Sequence, residues 1–388
     1  MRRQWQAVWQ SSKRAGSRRL GKYARLWAIR SWRRLLVSTW RQYTDSAPPP
    51  VSAVLRVTHT CNLRCKQCGQ WGDRGVFRVL EHGAAARDEL STDQWNSVLS
   101  RLTKFCPHIY IFGGEPFARR DVLELARTAA QQGATVGINT NGTLLRSKSA
   151  EIIESGLDYI IVSLDGPQEV NDKVRIGSRG FAAVTDGIRE LVAQKKHLSS
   201  FFPQIELIMT LTVENQDHIV ETARIAESLG VDVFAVGFGI FTTAELASLS
   251  SRQAQEELGR DPRFFSAFVR DMSGMNPELI ERQIQQVRKN WGSRFKSYPP
   301  IRFQIREYFQ HPERPLVSGP CTTPWRSMQI MPNGDMAFCS DFPDFVVGNV
   351  ADGDLLKLWN SSGSRAWRNR IRTKGVFAAE NRCCDHYL

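Results

Sequence analysis

The sequence predicts an α/β protein built on a parallel sheet, preceded by a basic helical arm and followed by a small β-hairpin and helix module. Three observations carry this reading. Between residues 51 and 240 six strand-like segments alternate with five helix-like ones, the pattern of parallel strands joined by crossover helices. The cysteine-, glycine- and Asn/Asp-rich turns fall directly after the strand-like segments, where such sheets bind their ligands. Charge is also divided unevenly. The formal net charge is +13, and residues 1–46 hold +11 of it, through Arg2, Arg3, Lys13, Arg14, Arg18, Arg19, Lys22, Arg25, Arg30, Arg33, Arg34 and Arg41 against Asp45 alone. The rest of the chain is near neutral, so composition gives no reason to assign nucleic acid to the globular part.

With 388 residues, 41% hydrophobic and 23% charged, the chain is long enough for two or three units with ample core, which excludes wholesale disorder and a collagen-like structure. No apolar run reaches the ~18 residues that span a bilayer, and the N-terminus is basic without an apolar signal segment. The expectation is a soluble, cytoplasmic protein.

Taken in order, Val51 to Val57 is rich in β-branched and apolar residues and reads as a strand. Ser91 with Gln94 forms a capping box that opens a helix with Trp95, Val98, Leu99 and Leu102 on one face. His108 to Phe112 is the next strand, and Gly113-Gly114-Glu115-Pro116 follows at once. Asp121 to Gln132 reads as helix, Thr135 to Thr140 as strand running into Asn141-Gly142, Lys148 to Ser155 as helix and Tyr159 to Leu164 as strand ending in Asp165-Gly166-Pro167. Phe181 to Lys196 (helix), Gln204 to Leu211 (strand), Asp217 to Leu229 (helix) and Val231 to Gly237 (strand) complete the alternation. Residues 241–320 connect this unit to the tail, with a helix near Pro277 to Asn290 and turn-rich stretches at Ser297 to Pro300 and His311 to Pro315.

The eight cysteines are grouped in a way that suits metal better than a disulfide framework. Cys61, Cys65 and Cys68 follow the first strand with C-x3-C-x2-C spacing, so one loop can offer three thiolates to a cluster. A [4Fe-4S] cubane held this way keeps one iron open. Cys106, just before the second strand, reads as a buried small hydrophobe. Cys321 and Cys339 enclose a strand, a Pro332-Asn333-Gly334-Asp335 turn and a second strand, then Gly348-Asn349-Val350, a helix at Leu355 to Trp359 and a final pair, Cys383 and Cys384.

Thr60-Cys61-Asn62-Leu63-Arg64-Cys65-Lys66-Gln67-Cys68-Gly69, followed about 45 residues later by Gly113-Gly114-Glu115-Pro116, resembles the radical S-adenosylmethionine (SAM) superfamily over about residues 51–240. The resemblance implies a partial (β/α)6 TIM-like barrel and a [4Fe-4S] cluster whose open iron binds SAM. It further implies that one electron splits SAM to methionine and a 5′-deoxyadenosyl radical, which abstracts a substrate hydrogen. By the same resemblance Gly113, Gly114 and Glu115 contact the methionyl amino group, and Ser163 or Asp165 lies near the ribose or carboxylate. Gln67 departs from the aromatic residue common at that position; the contact expected there is made by backbone. The C-x12-G-x4-C pattern followed by Gly348-Asn349-Val350 resembles the SPASM or shorter twitch auxiliary modules of these enzymes. Only Cys321, Cys339, Cys383 and Cys384 remain to serve it, enough for one auxiliary [4Fe-4S] cluster, with Cys384, His386 or neither as its fourth ligand.

The implied organisation is an arm and proline linker over residues 1–50, the barrel over 51–240, a connecting substrate-side segment over 241–320 and the auxiliary module over 321–388. The implied activity is that of an oxidoreductase or maturase acting on a peptide or a small polar metabolite, with a flavodoxin or ferredoxin as reductant. A non-catalytic iron-sulfur electron carrier or scaffold is the competing reading. On a helical wheel over residues 18–41 the charged residues fall in one half, and the arm holds five of the eleven Trp. A basic helix with interfacial Trp suits a peripheral contact with the inner, anionic face of a membrane. Pro48-Pro49-Pro50 reads as a stiff spacer that separates this arm from the barrel.

Overall fold

The computed structural model describes residues 21–24, 26, 28, 29, 31, 32, 37, 43–78, 88–177, 180–316, 321–339 and 341–382. A ten-stranded sheet organises them, in the order β10-β9-β8-β1-β2-β3-β4-β5-β6-β7. The first seven strands are β1 (Ser52–Arg56), β2 (His108–Phe112), β3 (Thr135–Thr140), β4 (Tyr159–Ser163), β5 (Gln204–Leu211), β6 (Val233–Phe238) and β7 (Phe295–Tyr298), each parallel to the next. Helices α1 (Thr92–Leu102), α2 (Val122–Gln131), α3 (Ser149–Glu154), α4 (Gln168–Val174), α5 (Gly180–His197) and α6 (Ile219–Ser228) occupy the crossovers. The Ser91 capping box forms as the sequence predicts, the Ser91 side chain accepting from the Gln94 N–H and the Gln94 side chain accepting from the Ser91 N–H.

Alternation along the strands separates two faces. Ala53, Leu55, Val57, Ile109 and Ile111 point outward and are buried against Trp95, Leu99 and Leu102 of α1 in one continuous core. Each such side chain contributes about 1.5–3 kcal/mol by leaving water. Their neighbours His108, Tyr110 and Phe112 point inward and keep part of their surface accessible.

Three features differ from the sequence reading. A seventh parallel strand, β7, lies where the sequence suggests only turns; it pairs with β6 with Ala235 opposite Lys296 and Gly237 opposite Tyr298. It follows helices α7 (Ala244–Leu258), α8 (Phe264–Ala267) and α9 (Pro277–Trp291), and α10 (Ile305–Gln310) comes next. Residues 241–320 therefore extend the barrel rather than merely connecting it. The tail hairpin, β8 (Ser327–Ile330) with β9 (Asp335–Ala337), is also not a separate sheet. Strand β8 pairs in parallel with β1, Val54 opposite Gln329, while β10 (Gly348–Asn349) pairs antiparallel with β9. The exposed edge of β1 supplies unpaired backbone groups that this hairpin satisfies. Helices α11 (Leu355–Trp359) and α12 (Ser362–Lys374) follow.

The arm is the third difference: its described residues are docked, not separate. Tyr23, Leu26 and Val37 are buried, and all three lie within about 60° of one another on a helical wheel. Asp158, buried at the floor of the barrel before β4, explains the docking. Its carboxylate accepts from Lys22 Nζ (2.7 Å), Tyr23 Oη (2.7 Å) and the Val136 N–H (2.8 Å), which satisfies a charge that burial would otherwise penalise. The proline linker is likewise clamped. Trp359 Nε1 donates to the Pro48 carbonyl, and the Asn360 side-chain amide exchanges two hydrogen bonds with the Ala47 backbone. Because Tyr23, Leu26 and Val37 turn inward, Ala24, Ala28 and Trp32 face solvent, Trp32 with 65% of its surface exposed.

Candidate functional site

The cysteine loop leaves the C-terminal end of β1 and rests on the far end of α4. Arg64 N–H donates to the Ile176 carbonyl and Lys66 N–H to the Val174 carbonyl, and the buried Leu63 side chain fills the space beside Gly177. Within the loop Cys68 N–H donates to the Cys65 carbonyl and Gly72 N–H to that of Cys68. Backbone donors also reach the sulfurs: Leu63 N–H to Cys61 Sγ (3.5 Å), and Gln70 and Trp71 N–H to Cys68 Sγ (3.3 and 3.4 Å). Such donors favour the thiolate.

Burial acts in the opposite sense. It pushes the Cys61 thiol up to about 12 and the Cys65 thiol up to about 11, so both are protonated at neutral pH until a metal displaces the proton. Three guanidinium groups bear electrostatically on the thiols: the buried Arg175 and Arg56, and the half-buried Arg270, which donates to the Gln67 carbonyl next to Cys68. That charge suits a cluster carrying net negative charge. Among the described residues no three His, Cys, Asp or Glu side chains converge on one ion-sized point; a cubane takes each thiolate on a different iron and needs no such convergence. Gln67 Oε1, on the loop, is buried without a hydrogen-bond partner. Thiols, cations and this unused polar atom together fit a polar, anionic group bound above the loop.

The Gly113-Gly114-Glu115-Pro116 turn packs against the residues that lead into the loop. Gly114 N–H donates to the Thr58 carbonyl and Glu115 N–H to that of Thr60, both 2.8 Å, while the Gly113 carbonyl accepts from Gln70 Nε2 (3.1 Å). A Cβ on Gly114 would lie 2.3 Å from the Thr60 carbonyl oxygen and one on Gly113 2.7 Å from that of Thr58. Backbone does not yield to such overlap. Gly114→Ala is therefore expected to displace the turn from Thr58 and Thr60, with the fold retained by circular dichroism.

Glu115 is fully buried. Its carboxylate accepts from Phe117 N–H (3.0 Å), Thr140 Oγ1 (2.8 Å) and Asn141 N–H (2.7 Å), joining the ends of β2 and β3. Burial pushes its carboxyl up to about 7, against those donors. Asn141 Nδ2 in turn donates to Asn62 Oδ1 in the cysteine loop (2.8 Å).

Ser163 ends β4, buried opposite Ile208. Asp165, two residues on, has no exposed surface, and both its oxygens are engaged by the chain. Oδ1 accepts from the Thr210 N–H (2.8 Å), and Oδ2 from Gln67 Nε2 (2.7 Å) and, as an ion pair, Arg175 Nε (2.8 Å). Sequence reasoning placed Asp165 near the site but missed Gln67 and Arg175 as its partners. The Asp-Gly-Pro turn was the available signal, since it launches the short helix that returns Arg175.

Cys106 lies fully buried in the core, as expected of a small hydrophobe. Cys321 is buried and Cys339 half-buried at the hairpin ends. Cys383, Cys384 and His386 lie outside the described residues, but Arg382 just before them is fixed. Its guanidinium donates to the carbonyls of Tyr308, Glu307, His311 and Arg314 at and beyond the end of α10. Asn381 beside it donates to the carbonyls of Pro312 and Glu313.

The chain was compared with known proteins. Residues 55–226 match the model of the radical SAM superfamily, and residues 321–385 match that of the SPASM iron-sulfur cluster-binding domain. Fe-coproporphyrin III synthase of Methanosarcina barkeri is 36% identical over 149 residues, 38% of this chain and 35% of that protein. PqqA peptide cyclase of Gluconobacter oxydans is 27% identical over 327 residues, 81% of this chain and 77% of that protein. The chain spans between 33% and 49% of the length of several other curated relatives. The fold of Streptococcus suis SuiB, solved bound to S-adenosylmethionine, superposes with a TM-score of 0.58 at 17% identity, covering 84% of this chain and 69% of that one. With the three-cysteine loop and the glycine turn at one pole of a parallel barrel, and a second cysteine pair on the adjoining hairpin, the chain is a member of the radical SAM superfamily carrying a C-terminal SPASM domain.

Proposed function

We propose that this chain is a radical SAM oxidoreductase or maturase that acts on a peptide. The observation that carries the reading is the packing of the Gly113 to Glu115 turn against Thr58 and Thr60, the residues that lead into the Cys61, Cys65 and Cys68 loop at the C-terminal end of β1. Cys61, Cys65 and Cys68 would hold the [4Fe-4S] cluster, leaving one iron for SAM; the Gly113 to Glu115 turn and Ser163 would position the SAM methionyl and ribose groups. Asp165 would position Gln67 and the loop rather than touch SAM, because its oxygens are already used. When bound, cluster and SAM supply a reductive cleavage to methionine and a 5′-deoxyadenosyl radical that takes a substrate hydrogen. A flavodoxin or ferredoxin would provide the electron.

A peptide is favoured over a small polar metabolite because a relative matched along most of both chains is named a peptide cyclase. The electron-carrier reading is disfavoured, since a carrier needs four cysteines on its cluster and the sequence holds no fourth between Cys68 and Cys106. Anaerobically reconstituted protein with dithionite and SAM should release 5′-deoxyadenosine.

Cys321, Cys339 and Cys383 would hold the auxiliary cluster, closed by Cys384. Neighbouring side chains in an extended segment point apart, so Cys384 reaches the same cluster only if the tail turns. Cys384→Ala is expected to alter the second cluster's electron paramagnetic resonance more than His386→Ala. The reverse ranking would assign His386 as the ligand, as imidazole replaces thiolate in Rieske centres.

The arm would meet an anionic membrane at its periphery, through its basic residues and the outward Trp32. Among the described residues no helix is long and apolar enough to cross a membrane. Deleting residues 1–20, which carry six of the basic side chains and two Trp, should weaken sedimentation with phosphatidylglycerol vesicles without changing SAM cleavage. Raising salt should have the same effect, because exposed charges are screened over about 8–10 Å.

A further inference from the structure

Arg270 follows α8, in the segment between β6 and β7, and reaches back to the cysteine loop. Its backbone is pinned to the stretch after β6: Thr242 N–H donates to the Phe268 carbonyl (2.9 Å) and Arg270 N–H to the Thr242 carbonyl (3.2 Å). From there the guanidinium donates through Nη1 to the Ile240 carbonyl (2.6 Å) and through Nη2 to the Gln67 carbonyl. The Phe268 ring, two residues earlier, lies against Gly69, where a Cβ would come 2.5 Å from Phe268 Cζ. Arg270 and Phe268 therefore grip the chain on either side of Cys68, whose sulfur accepts from the Gln70 and Trp71 N–H groups.

The charge on Arg270 has no carboxylate to balance it. Its guanidinium meets two carbonyls and, at 5.5 Å, the centre of the Phe268 ring; among the described residues no Asp or Glu pairs with it. Arg175 differs, since Asp165 pairs with it. Burial lowers the Arg270 guanidinium only to about 10, with the Cys68 thiol opposing that change, so it stays charged at neutral pH. A cation held partly away from water with no counter-charge is costly, and an anionic group bound at the neighbouring cysteine recovers that cost.

We propose that Arg270 is the counter-charge of the cluster on Cys61, Cys65 and Cys68 and raises its reduction potential. The proposal rests on the radical SAM reading above. Reduction adds one negative charge to the cluster, and a fixed cation beside it favours the more negative state. The electron is then accepted at a less negative potential. Because Arg270 lies within residues 241–320, that segment takes part in the chemistry as well as in the barrel.

The test compares Arg270→Gln with Arg270→Lys. Both side chains offer N–H donors and they differ in charge, which separates charge from packing. Each full chain, reconstituted anaerobically without SAM, is titrated with dithionite in the presence of redox mediators and followed by electron paramagnetic resonance; the first cluster's signal is the one absent from the Cys61→Ala chain. In the Arg270→Gln chain the ratio of reduced to oxidised first cluster at a given potential should fall about tenfold, a shift of about 59 mV to more negative values for a one-electron couple. Arg270→Lys should keep the ratio of the unmodified chain, and the auxiliary cluster's signal should titrate as before in both. An unshifted first cluster in the Arg270→Gln chain, an equal shift in the Arg270→Lys chain, or loss of iron from both would overturn the proposal, the last by making Arg270 a brace for the loop alone. The readout needs no SAM cleavage, so an unmodified chain that releases 5′-deoxyadenosine while Arg270→Gln titrates unchanged rejects the proposal and leaves the proposed activity standing.

Discussion

Alanine at Cys61, Cys65 or Cys68 is expected to remove about four irons per chain and to reduce 5′-deoxyadenosine release to background. Each thiolate would hold a different iron of the proposed cluster, so no neighbour could replace a lost one. The fold should survive, because the loop is held by other groups: Leu63 is buried beside Gly177, the Arg64 and Lys66 amides bond to the end of α4, and Gln67 bonds to Asp165. Unchanged circular dichroism with lost iron would separate ligation from misfolding. Metal binding must also expel protons from Cys61 and Cys65, whose thiols burial holds well above neutral pH. Reconstitution should therefore accelerate as pH rises from 6 to 9, and a rate independent of pH would contradict the thiol assignment.

Arg382→Met is expected to abolish the auxiliary cluster while sparing the first. The guanidinium is fully buried, donates to four carbonyls of residues 307–314 and stacks 5.1 Å from the Tyr308 ring centre. Removing it leaves those carbonyls buried without donors, at about 1–3 kcal/mol for each one that water does not reach. The tail then loses its anchor one residue before Cys383. Iron should fall by about four per chain, chemical stability should drop on the order of 3 kcal/mol or more in urea titration, and SAM cleavage without substrate should continue. Full iron content in this variant would mean that the tail cysteines are positioned by something other than Arg382.

How far the sequence foretells the structure depends on whether a feature is local. Strands β3 and β5 coincide with the predicted segments, because periodicity and flanking turn residues act within a few positions. The capping box at Ser91 is read directly from its spacing. Strand β7 is hidden: Phe295-Lys296-Ser297-Tyr298 lacks β-branched residues, and its Lys296 is half-buried in an ion pair with Glu206 of β5. The pairing of β8 with β1 joins positions far apart in sequence and leaves no local trace.

The same division holds at the site. Three cysteines in eight residues and two adjacent glycines are visible at a glance. The Asp165, Gln67 and Arg175 network exists only through tertiary contact. The arm shows the limit most clearly. Its charge is plain from composition, but the inward turn of Tyr23, Leu26 and Val37 depends on Asp158, which sequence alone does not place beside them.

The open iron is the central claim, and reductive cleavage of SAM tests it most directly. Reconstituted full chain, incubated anaerobically with dithionite and SAM, should form 5′-deoxyadenosine and methionine in equal amounts by liquid chromatography, and the Cys61→Ala chain should form neither. A fully loaded, reducible cluster that yields no 5′-deoxyadenosine would contradict the assignment and restore the electron-carrier reading.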